Sequence, residues 1–245
     1  MNRKQQVASE LKPRCALIIV AHPDDVEYYC GGTVAKWVSN GCQVSLVVAS
    51  SGDKGTHDLE ANKSEIIFTR ESEQRASAFV LGISDVQFLR HPDAELKQVP
   101  GLFEQIVFHI RRVKPEVILT HDPMVRLTRQ HPDHRAVGQL VIDASFPISV
   151  MENCFPSQIT QQGVEPWQPD WLLMFGSDIP NYYTDISNTI NVKINALKAH
   201  SSQESAFPGG MEERLQWRAS SIGKKYNIQF AEEFLQVRVG STYPV

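Results

Sequence analysis

Residues 16–27 read ALIIVAHPDDVE, and the fold of the whole chain is best predicted outward from this stretch. Its first five residues are apolar and mostly β-branched, a short continuous run that is typical of a strand buried on both faces. Pro23 holds the residue before it in an extended conformation. The sequence therefore predicts a buried strand with His22, Asp24 and Asp25 at its carboxyl end.

The same alternation continues along the chain and predicts an α/β fold. Helices and strands predicted from apolar periodicity and glycine stops follow one another as βαβαβαβ. Further strands are predicted over 43–50, 86–89, 116–120 and 170–177. Helices are predicted over 31–41, 63–81, 102–113 and 189–200, with 211–234 mostly helical and a long loop over 156–169. This order is typical of a mostly parallel sheet with helices on both faces, whose ligands bind at the carboxyl ends of the strands.

The length and composition fit one large α/β domain or two small ones. In 245 residues, 42% are hydrophobic, which is enough for a substantial core. We predict a single domain over 1–245, in which 1–14 is a polar N-terminal segment and about 150–245 completes the fold and the pocket.

The net charge, the apolar segments and the cysteines indicate which partners and which cellular location to expect. The net charge is −4 and the isoelectric point is about 6.1, which predicts no nucleic-acid partner and no anionic membrane partner. The apolar run CALIIVA, 15–21, is too short for a membrane span or a signal peptide. The four cysteines are far apart and form no C-x-x-C pair, so we expect reduced thiols and a cytoplasmic location.

The tripeptide His-Pro-Asp occurs three times, at 22–24, 91–93 and 131–133. The composition alone predicts about 0.02 occurrences. Each copy follows a predicted strand, so all three are expected at one edge of the sheet. The turn after the first strand has no G-x-G-x-x-G, which argues against a dinucleotide site.

Imidazoles and carboxylates at one sheet edge favour a divalent metal. Catalytic zinc takes three protein ligands and leaves a position for water, and two histidines with one aspartate would satisfy it. Of the adjacent Asp24 and Asp25, one can bind the metal while the other accepts a proton from metal-bound water. Pro132 is favoured at the first helical position, so His131 is expected at the helix cap and His134 one turn in.

Two other interpretations fit part of the pattern. His22 and Asp24 with a distant histidine also make the two-His-one-carboxylate set of a non-haem iron oxygenase, although such enzymes are commonly all-β and Asp25 would have no role. A non-catalytic sugar-binding protein would be expected to have a disrupted motif.

Six segments resemble, in order, the LmbE-like/PIG-L deacetylases. They are AHPDDVEYYCGGT, SSGDKGT, TRESEQRASAFVLG, PEVILTHDP, HPDHRAVG and KINALKAHSSQ. The resemblance implies a Rossmann-like fold and a zinc-dependent hydrolase, with Fe²⁺ also compatible, that removes acetyl from an N-acetylglucosamine-containing small molecule. An amidase acting on another N-acyl or thiol-conjugate substrate is the alternative within the family.

The resemblance also implies roles for individual residues. It assigns the metal to His22, Asp25 and His134, the general base to Asp24 and oxyanion stabilisation to His131, which we expect as an imidazolium. Residues expected to contact the substrate are Arg70, Asp93, Arg129 and His200. His121 is expected at the pocket floor, while the roles of Glu27 and Glu73 stay open. The expected partner is an N-acetylated sugar or sugar conjugate, and a homo-oligomer could form through the apolar C-terminal half.

Overall fold

The computed structural model describes residues 10–125, 130–206 and 209–240, with the side chains of 205 and 206 left aside. Its centre is a seven-stranded sheet in the order β3-β2-β1-β4-β5-β7-β6. The strands are β1 Cys15–Val20, β2 Gln43–Ser50, β3 Asp85–His91, β4 Val117–His121, β5 Trp171–Phe175, β6 Tyr182–Asp185 and β7 Ala231–Arg238. The pairs from β3 through β5 are parallel, and β7 is antiparallel to both β5 and β6. The predicted α/β class with a mostly parallel sheet is confirmed.

Helices cover both faces of this sheet. They are α1 Asp25–Tyr29, α2 Gly31–Ser39, α3 Lys63–Leu81, α4 Leu102–Val113, α5 Pro132–Asp143, α6 Pro156–Thr160, α7 Ile190–Lys198 and α8 Met211–Tyr226. The predicted bounds of α3 agree with the structure because its ends carry clear signals. Asn62 caps the first turn by accepting from the Ser64 backbone N–H, and Gly82 ends the helix in the left-handed conformation.

β1 separates two apolar cores. Ala16, Ile18 and Val20 face the core formed with α2 and α3, whereas Leu17 and Ile19 face the core formed with α4 and α5. All five residues are 0% exposed. This two-sided burial explains why the run ALIIV has no polar alternation.

The prediction was incomplete in the C-terminal part, where α6, β6 and β7 were not predicted. Helix α8 ends at Tyr226 because Asn227 takes the left-handed conformation, with φ 58°, and residues from Ala231 onward form β7. Strand β6 was not predicted, and α6 occupies the start of the predicted loop over 156–169. In the three described ranges, no helix has the length and apolar character needed to cross a membrane.

Candidate metal centre

The loop after β1 sends the two adjacent carboxylates in different directions. The backbone N–H of His22 donates to Oδ2 of Asp25 at 2.8 Å, which closes the turn on itself. Asp24 takes the left-handed conformation with φ 91°, and α1 begins at the next residue. The Asp25 side chain is buried by this turn, while Asp24 remains partly exposed.

The second motif begins α5 beside the end of β4. His131 is the N-cap residue, and its Nδ1 accepts from the backbone N–H of Asp133 at 3.3 Å. Pro132 occupies the first helical position, as predicted from the sequence. Gly138 allows α5 to lie close to β4, because a Cβ there would lie 2.3 Å from the carbonyl oxygen of His121. This close approach brings His134 next to His121.

Three predicted ligand atoms converge between these two motifs. Nδ1 of His22 lies 3.1 Å from Nε2 of His134. The Asp25 carboxylate is 3.2 Å from Nε2 of His134 and 3.5 Å from Nδ1 of His22. Two imidazole nitrogens and one carboxylate at these separations form a donor set that fits a divalent transition metal.

Two carboxylates orient His22 from its other side. Its Nε2 lies 3.0 Å from Oδ1 of Asp93 and 3.5 Å from Oδ2 of Asp133. Burial alone would lower the pKa of His22, but the carboxylates of Asp133, Asp25 and Asp93 raise it well above the usual value. An N–H held by carboxylates fixes the tautomer and makes the opposite nitrogen a stronger donor to a metal. Nδ1 of His22 is therefore the atom that faces Asp25 and His134.

His121 is a further imidazole at the centre. Its ring stacks on that of His134 with centroids 3.9 Å apart, and its Nε2 lies 3.3 Å from Oδ2 of Asp25. Burial lowers the pKa of His121 to about 4, with His134 as the next cause. Besides His22, Asp25 and His134, the described residues bring the donor atoms of three further groups close enough to share an ion: His22-His131-His134, His22-Asp93-His131-Asp133 and Asp25-His121-His134. His121 is thus a neutral member of the cluster at its floor.

Asp24 and Arg70 form a pair beside this cluster. Nη2 of Arg70 lies 3.1 Å from Oδ2 of Asp24 and donates to the carbonyl of Pro23 at 2.7 Å. Burial raises the pKa of Asp24 to about 6, against the opposing effect of Arg70. A carboxylate with a pKa near neutrality is suited to accept a proton.

His131 differs from the sequence expectation in its charge. Burial lowers the pKa of His131, and the neighbouring His22 and His134 lower it further, so the ring is neutral at neutral pH rather than an imidazolium. The carboxylates expected to keep it protonated are directed at His22 instead. Since Nδ1 accepts a hydrogen bond, the neutral ring carries its proton on Nε2 and can donate from there.

The described residues that were predicted to contact substrate are buried and contact other protein groups. Arg70 is 4% exposed and bonds to protein groups, including the carbonyl of Gly52 at 3.1 Å. His200 is 0% exposed and lies 3.4 Å from Glu27. Asp93 holds His22, and Arg129 lies outside the described residues. For Arg70, Asp93 and His200, these placements favour support of the cluster over direct contact with a substrate.

The sequence reasoning missed Asp133 and the wall of the pocket. Asp133 is 1% exposed, accepts from the backbone N–H groups of Ala94 and Leu96, and thereby joins the third His-Pro-Asp to the second. Its place inside the motif was the available signal. Arg218 on α8 could not have been found from local sequence. It is 190 residues away from Tyr28 in the chain, and only the packing of the fold brings the two side chains together.

A cavity of about 220 Å³ opens onto His131 and His134. Tyr28 and Tyr29 form part of its wall. The guanidinium of Arg218 lies over both rings, 5.1 Å from the centroid of Tyr28 and 5.4 Å from that of Tyr29. Tyr29 also stacks on Phe175 at 4.8 Å. The volume is below the range of about 300–1,000 Å³ that is common for drug-sized ligands. The cavity therefore has room for one small ring with its substituent.

Comparison with known proteins gives consistent matches. The family model described as PIG-L, GlcNAc-PI de-N-acetylase, matches residues 17–145. Diacetylchitobiose deacetylase from Thermococcus kodakarensis is 32% identical over 220 residues, covering 88% of this chain and 80% of that protein. A 1D-myo-inositol 2-acetamido-2-deoxy-alpha-D-glucopyranoside deacetylase from Actinosynnema mirum is 25% identical over 238 residues, covering 81% of this chain and 83% of that protein.

A solved structure extends the similarity to three dimensions. N,N'-diacetylchitobiose deacetylase from Pyrococcus horikoshii, in complex with an inhibitor, superposes with a TM-score of 0.84 at 27% identity. The match covers 92% of this chain and 84% of that one. The similarity therefore includes the C-terminal elements that lie beyond the region matched by the family model.

Proposed function

This chain belongs to the PIG-L de-N-acetylase family, and we propose that it is a metal-dependent hydrolase that removes the acetyl group from an N-acetylglucosamine-containing small molecule. The observation that carries the proposal is the convergence of His22, Asp25 and His134 beside the carboxylate of Asp24. Because a fold alone does not define a reaction, the site chemistry is the stronger support.

The metal would be held by His22, Asp25 and His134. Their nitrogen and oxygen donors suit Zn²⁺ best, and Fe²⁺ is compatible with the same set. When bound, such an ion lowers the pKa of water and polarises a carbonyl group. Asp93 and Asp133 support this role by fixing the orientation of His22.

Asp24 is proposed to accept the proton of the attacking water. Its pKa of about 6 leaves the carboxylate ionised at neutral pH but basic enough to hold a proton during the reaction. Arg70 keeps the carboxylate in place through its contact at 3.1 Å. After attack, the protonated Asp24 can pass its proton to the leaving amine.

His131 is proposed to donate from Nε2 to the oxygen on which negative charge develops. A neutral imidazole with its Nδ1 fixed by a backbone N–H is oriented before the substrate arrives. A donor that needs no reorganisation contributes to the transition state rather than to binding alone. Removal of one such donor costs about 10²–10³ in rate in other acyl-transfer enzymes.

The cavity supports a single N-acetylated sugar ring next to the catalytic groups. Because its volume is about 220 Å³, the remainder of a larger substrate would extend past Tyr28, Tyr29 and Arg218 toward solvent. The relative with 32% identity is a diacetylchitobiose deacetylase, so we propose N,N'-diacetylchitobiose as the first substrate to test. A cytoplasmic location, a single domain over 1–245 and a homo-oligomer stay predictions.

The proposal is tested by measuring the release of primary amine from a panel of N-acetylated substrates. The panel contains N-acetylglucosamine, N,N'-diacetylchitobiose and the inositol and malate conjugates of N-acetylglucosamine, each tested with metal-loaded and chelator-treated protein. Chelator-sensitive release from one member supports the proposal and identifies the substrate class. If no member is cleaved although each chain binds about one metal ion, deacetylation of these sugars is ruled out and the amidase alternative becomes the better interpretation.

The oxygenase alternative can be tested with the same preparation. Family membership and the mixed α/β sheet both disfavour it. An oxygenase would consume O₂ in the presence of Fe²⁺ and would not release amine anaerobically. Amine release at an unchanged rate without O₂ would exclude it.

A further inference from the structure

The backbone of Asp24 takes a conformation that must be imposed by its surroundings. Its φ of 91° and ψ of −18° lie in the left-handed region, which non-glycine residues adopt only at an energetic cost. This turn separates two adjacent carboxylates, since Asp24 meets Arg70 while Asp25 joins His22 and His134. The groups that fix this backbone therefore also fix the direction of the proposed general base.

Gln74 holds the backbone N–H of Asp24. Its Oε1 accepts from that N–H at 3.0 Å, and its Nε2 donates to Oε1 of Glu27 at 2.8 Å. The amide has only one orientation, because a backbone N–H can only donate and a carboxylate can only accept. Gln74 is 0% exposed, so water cannot replace either partner without opening the site.

Glu27 is a buried carboxylate that the proposed mechanism does not use. It is 0% exposed, and its Oε1 also accepts from the hydroxyl of Ser77 at 2.6 Å. Its Oε2 lies 3.4 Å from Nε2 of His200. A charged group is costly to bury unless it is paired, so these contacts make Glu27 a fixed acceptor for the Gln74 amide.

Three polar side chains on one face of α3 make the contacts to Asp24 and Glu27. Arg70, Gln74 and Ser77 are spaced at i, i+4 and i+7 and are all buried, whereas apolar residues normally occupy such positions. Arg70 holds the carboxylate of Asp24, Gln74 holds its backbone, and Ser77 holds Glu27. This face is hydrophilic because it supports the loop after β1.

We propose that Gln74 and Glu27 are positioning residues that keep Asp24 in the left-handed conformation and thereby direct its carboxylate toward the reacting water. The inference rests on the proposed function for its kinetic consequence, although the hold on the backbone is independent of it. Neither residue belongs to the metal-ligand set or touches the cavity wall. Glu27 acts on Asp24 through the Gln74 amide.

The test is a double-mutant cycle between Gln74 and Asp24 in the metal-loaded protein. Gln74→Leu is expected to lower kcat by about 10–100-fold, because a small misplacement of a catalytic group has effects of this size. KM and metal content should stay close to wild type. In an Asp24→Asn background, Gln74→Leu should cause no further loss, since the group it directs is already absent.

Gln158→Leu is the matched control. Gln158 is also a buried amide, 1% exposed, that accepts from Arg111 and donates to the carbonyl of Glu104 on the opposite side of the sheet. Its replacement should lower thermal stability and leave kcat unchanged. Gln74→Asn provides a second variant that keeps a polar side chain but cannot span both partners, in case Gln74→Leu does not fold.

Two variants of Glu27 test whether this residue acts by holding the Gln74 amide, which in turn holds the backbone of Asp24. The first is Glu27→Gln. It keeps an acceptor oxygen for the Gln74 amide, so most of kcat should remain, whereas Glu27→Ala should lose about as much as Gln74→Leu. The inference is overturned if Gln74→Leu keeps wild-type kcat or loses activity equally in both backgrounds.

A crystal structure of Gln74→Leu separates failure of this inference from failure of the proposed function. The inference requires φ of Asp24 to leave the left-handed region in that variant. Wild-type protein without activity on any amide would reject the proposed function, and the value of φ would still decide the role of Gln74. An unchanged φ rejects the inference even if the enzyme is an active deacetylase.

Discussion

At the scale of single residues, the two carboxylates of the first motif have separate environments. Asp25 is held by imidazoles: burial raises its pKa, but His134 and His121 outweigh burial and bring it well below the usual range. Asp24 faces Arg70, and burial raises its pKa to about 6. One carboxylate is therefore suited to bind a cation and its neighbour to exchange a proton.

Replacement of Asp24 should separate catalysis from metal binding. Asp24→Asn is expected to retain one metal per chain while kcat falls by about 10²–10⁴, the usual contribution of a general base. Metal content is measured by elemental analysis and kcat by amine release. Asp143→Asn, at an exposed aspartate on α5 that accepts from the Gln139 amide, is the control and should behave as wild type. Near-normal turnover in Asp24→Asn would remove this residue from the proposed role.

Asp93 provides a test between metal support and substrate contact. Because its carboxylate lies 3.0 Å from Nε2 of His22, Asp93→Asn should weaken metal affinity by about 10–100-fold. Affinity is measured by competition with a chromophoric chelator, in parallel with KM at saturating metal. A raised KM with unchanged metal affinity would instead support the sequence-based prediction of a substrate contact.

At the scale of helices and strands, predictions succeeded where local signals exist. The bounds of α3 follow from Asn62 and Gly82, and β1 follows from its continuous apolar run. The segment 211–234 is mostly helical as predicted, but β7, which begins at Ala231, was not predicted, because the end of α8 at Asn227 is set by a backbone of positive φ. Two motifs and the family resemblance were enough to predict that His22, Asp25 and His134 lie together. The support from Asp133 and Gln74 depends on distances between elements that the sequence does not give.

Helix α4 carries a histidine that should make stability depend on pH. His109 is 7% exposed, and burial together with Arg112 lowers its pKa to about 4. Below pH 6.5 His109 becomes protonated in the unfolded chain, whereas in the folded chain it stays neutral down to about pH 4. The free energy of unfolding therefore decreases as pH falls from 6.5 to about 4. The linkage relation gives a loss of about 3 kcal/mol across this range.

Denaturant unfolding of His109→Gln at pH 7 and pH 4.5 measures this effect. The variant should lose less stability between the two pH values than wild type does, by about 2–3 kcal/mol. An equal loss in both proteins would show that His109 is not held neutral by the fold.

Helix α8 contributes the cation of the cavity wall. Arg218→Met keeps much of the side-chain volume but removes the charge beside Tyr28 and Tyr29. If the aglycone extends along this wall, KM should rise for disaccharide or conjugate substrates and stay unchanged for N-acetylglucosamine. Steady-state kinetics on both substrate sizes provides the measurement, and equal changes for both would place Arg218 outside aglycone recognition.

At the scale of the whole molecule, the site joins elements that are far apart in sequence. His22, Asp93 and His134 come from the ends of different strands or the helices that follow them, and each is held by groups from another element. Burial of these polar groups is unfavourable unless they are paired. An ion that binds only the folded state should therefore stabilise the whole domain.

Metal removal should therefore lower the melting temperature. A chelator is expected to reduce Tm by several degrees for wild-type protein, since binding free energy adds to folding free energy. Calorimetry with and without chelator provides the measurement. His134→Ala, which lacks a proposed ligand, should show the same Tm in both conditions. An unchanged wild-type Tm would indicate that little metal is bound by the folded chain.

The position of β7 between β5 and β6 has a consequence for biogenesis. During synthesis, β6 leaves the ribosome about 50 residues before β7, the strand that joins it to the rest of the sheet. Until β7 emerges, β5 keeps an open edge and β6 has no neighbour to pair with, and open edges are prone to intermolecular pairing. A nascent chain stalled before residue 231 should therefore recruit chaperones, whereas a chain released after residue 240 should not.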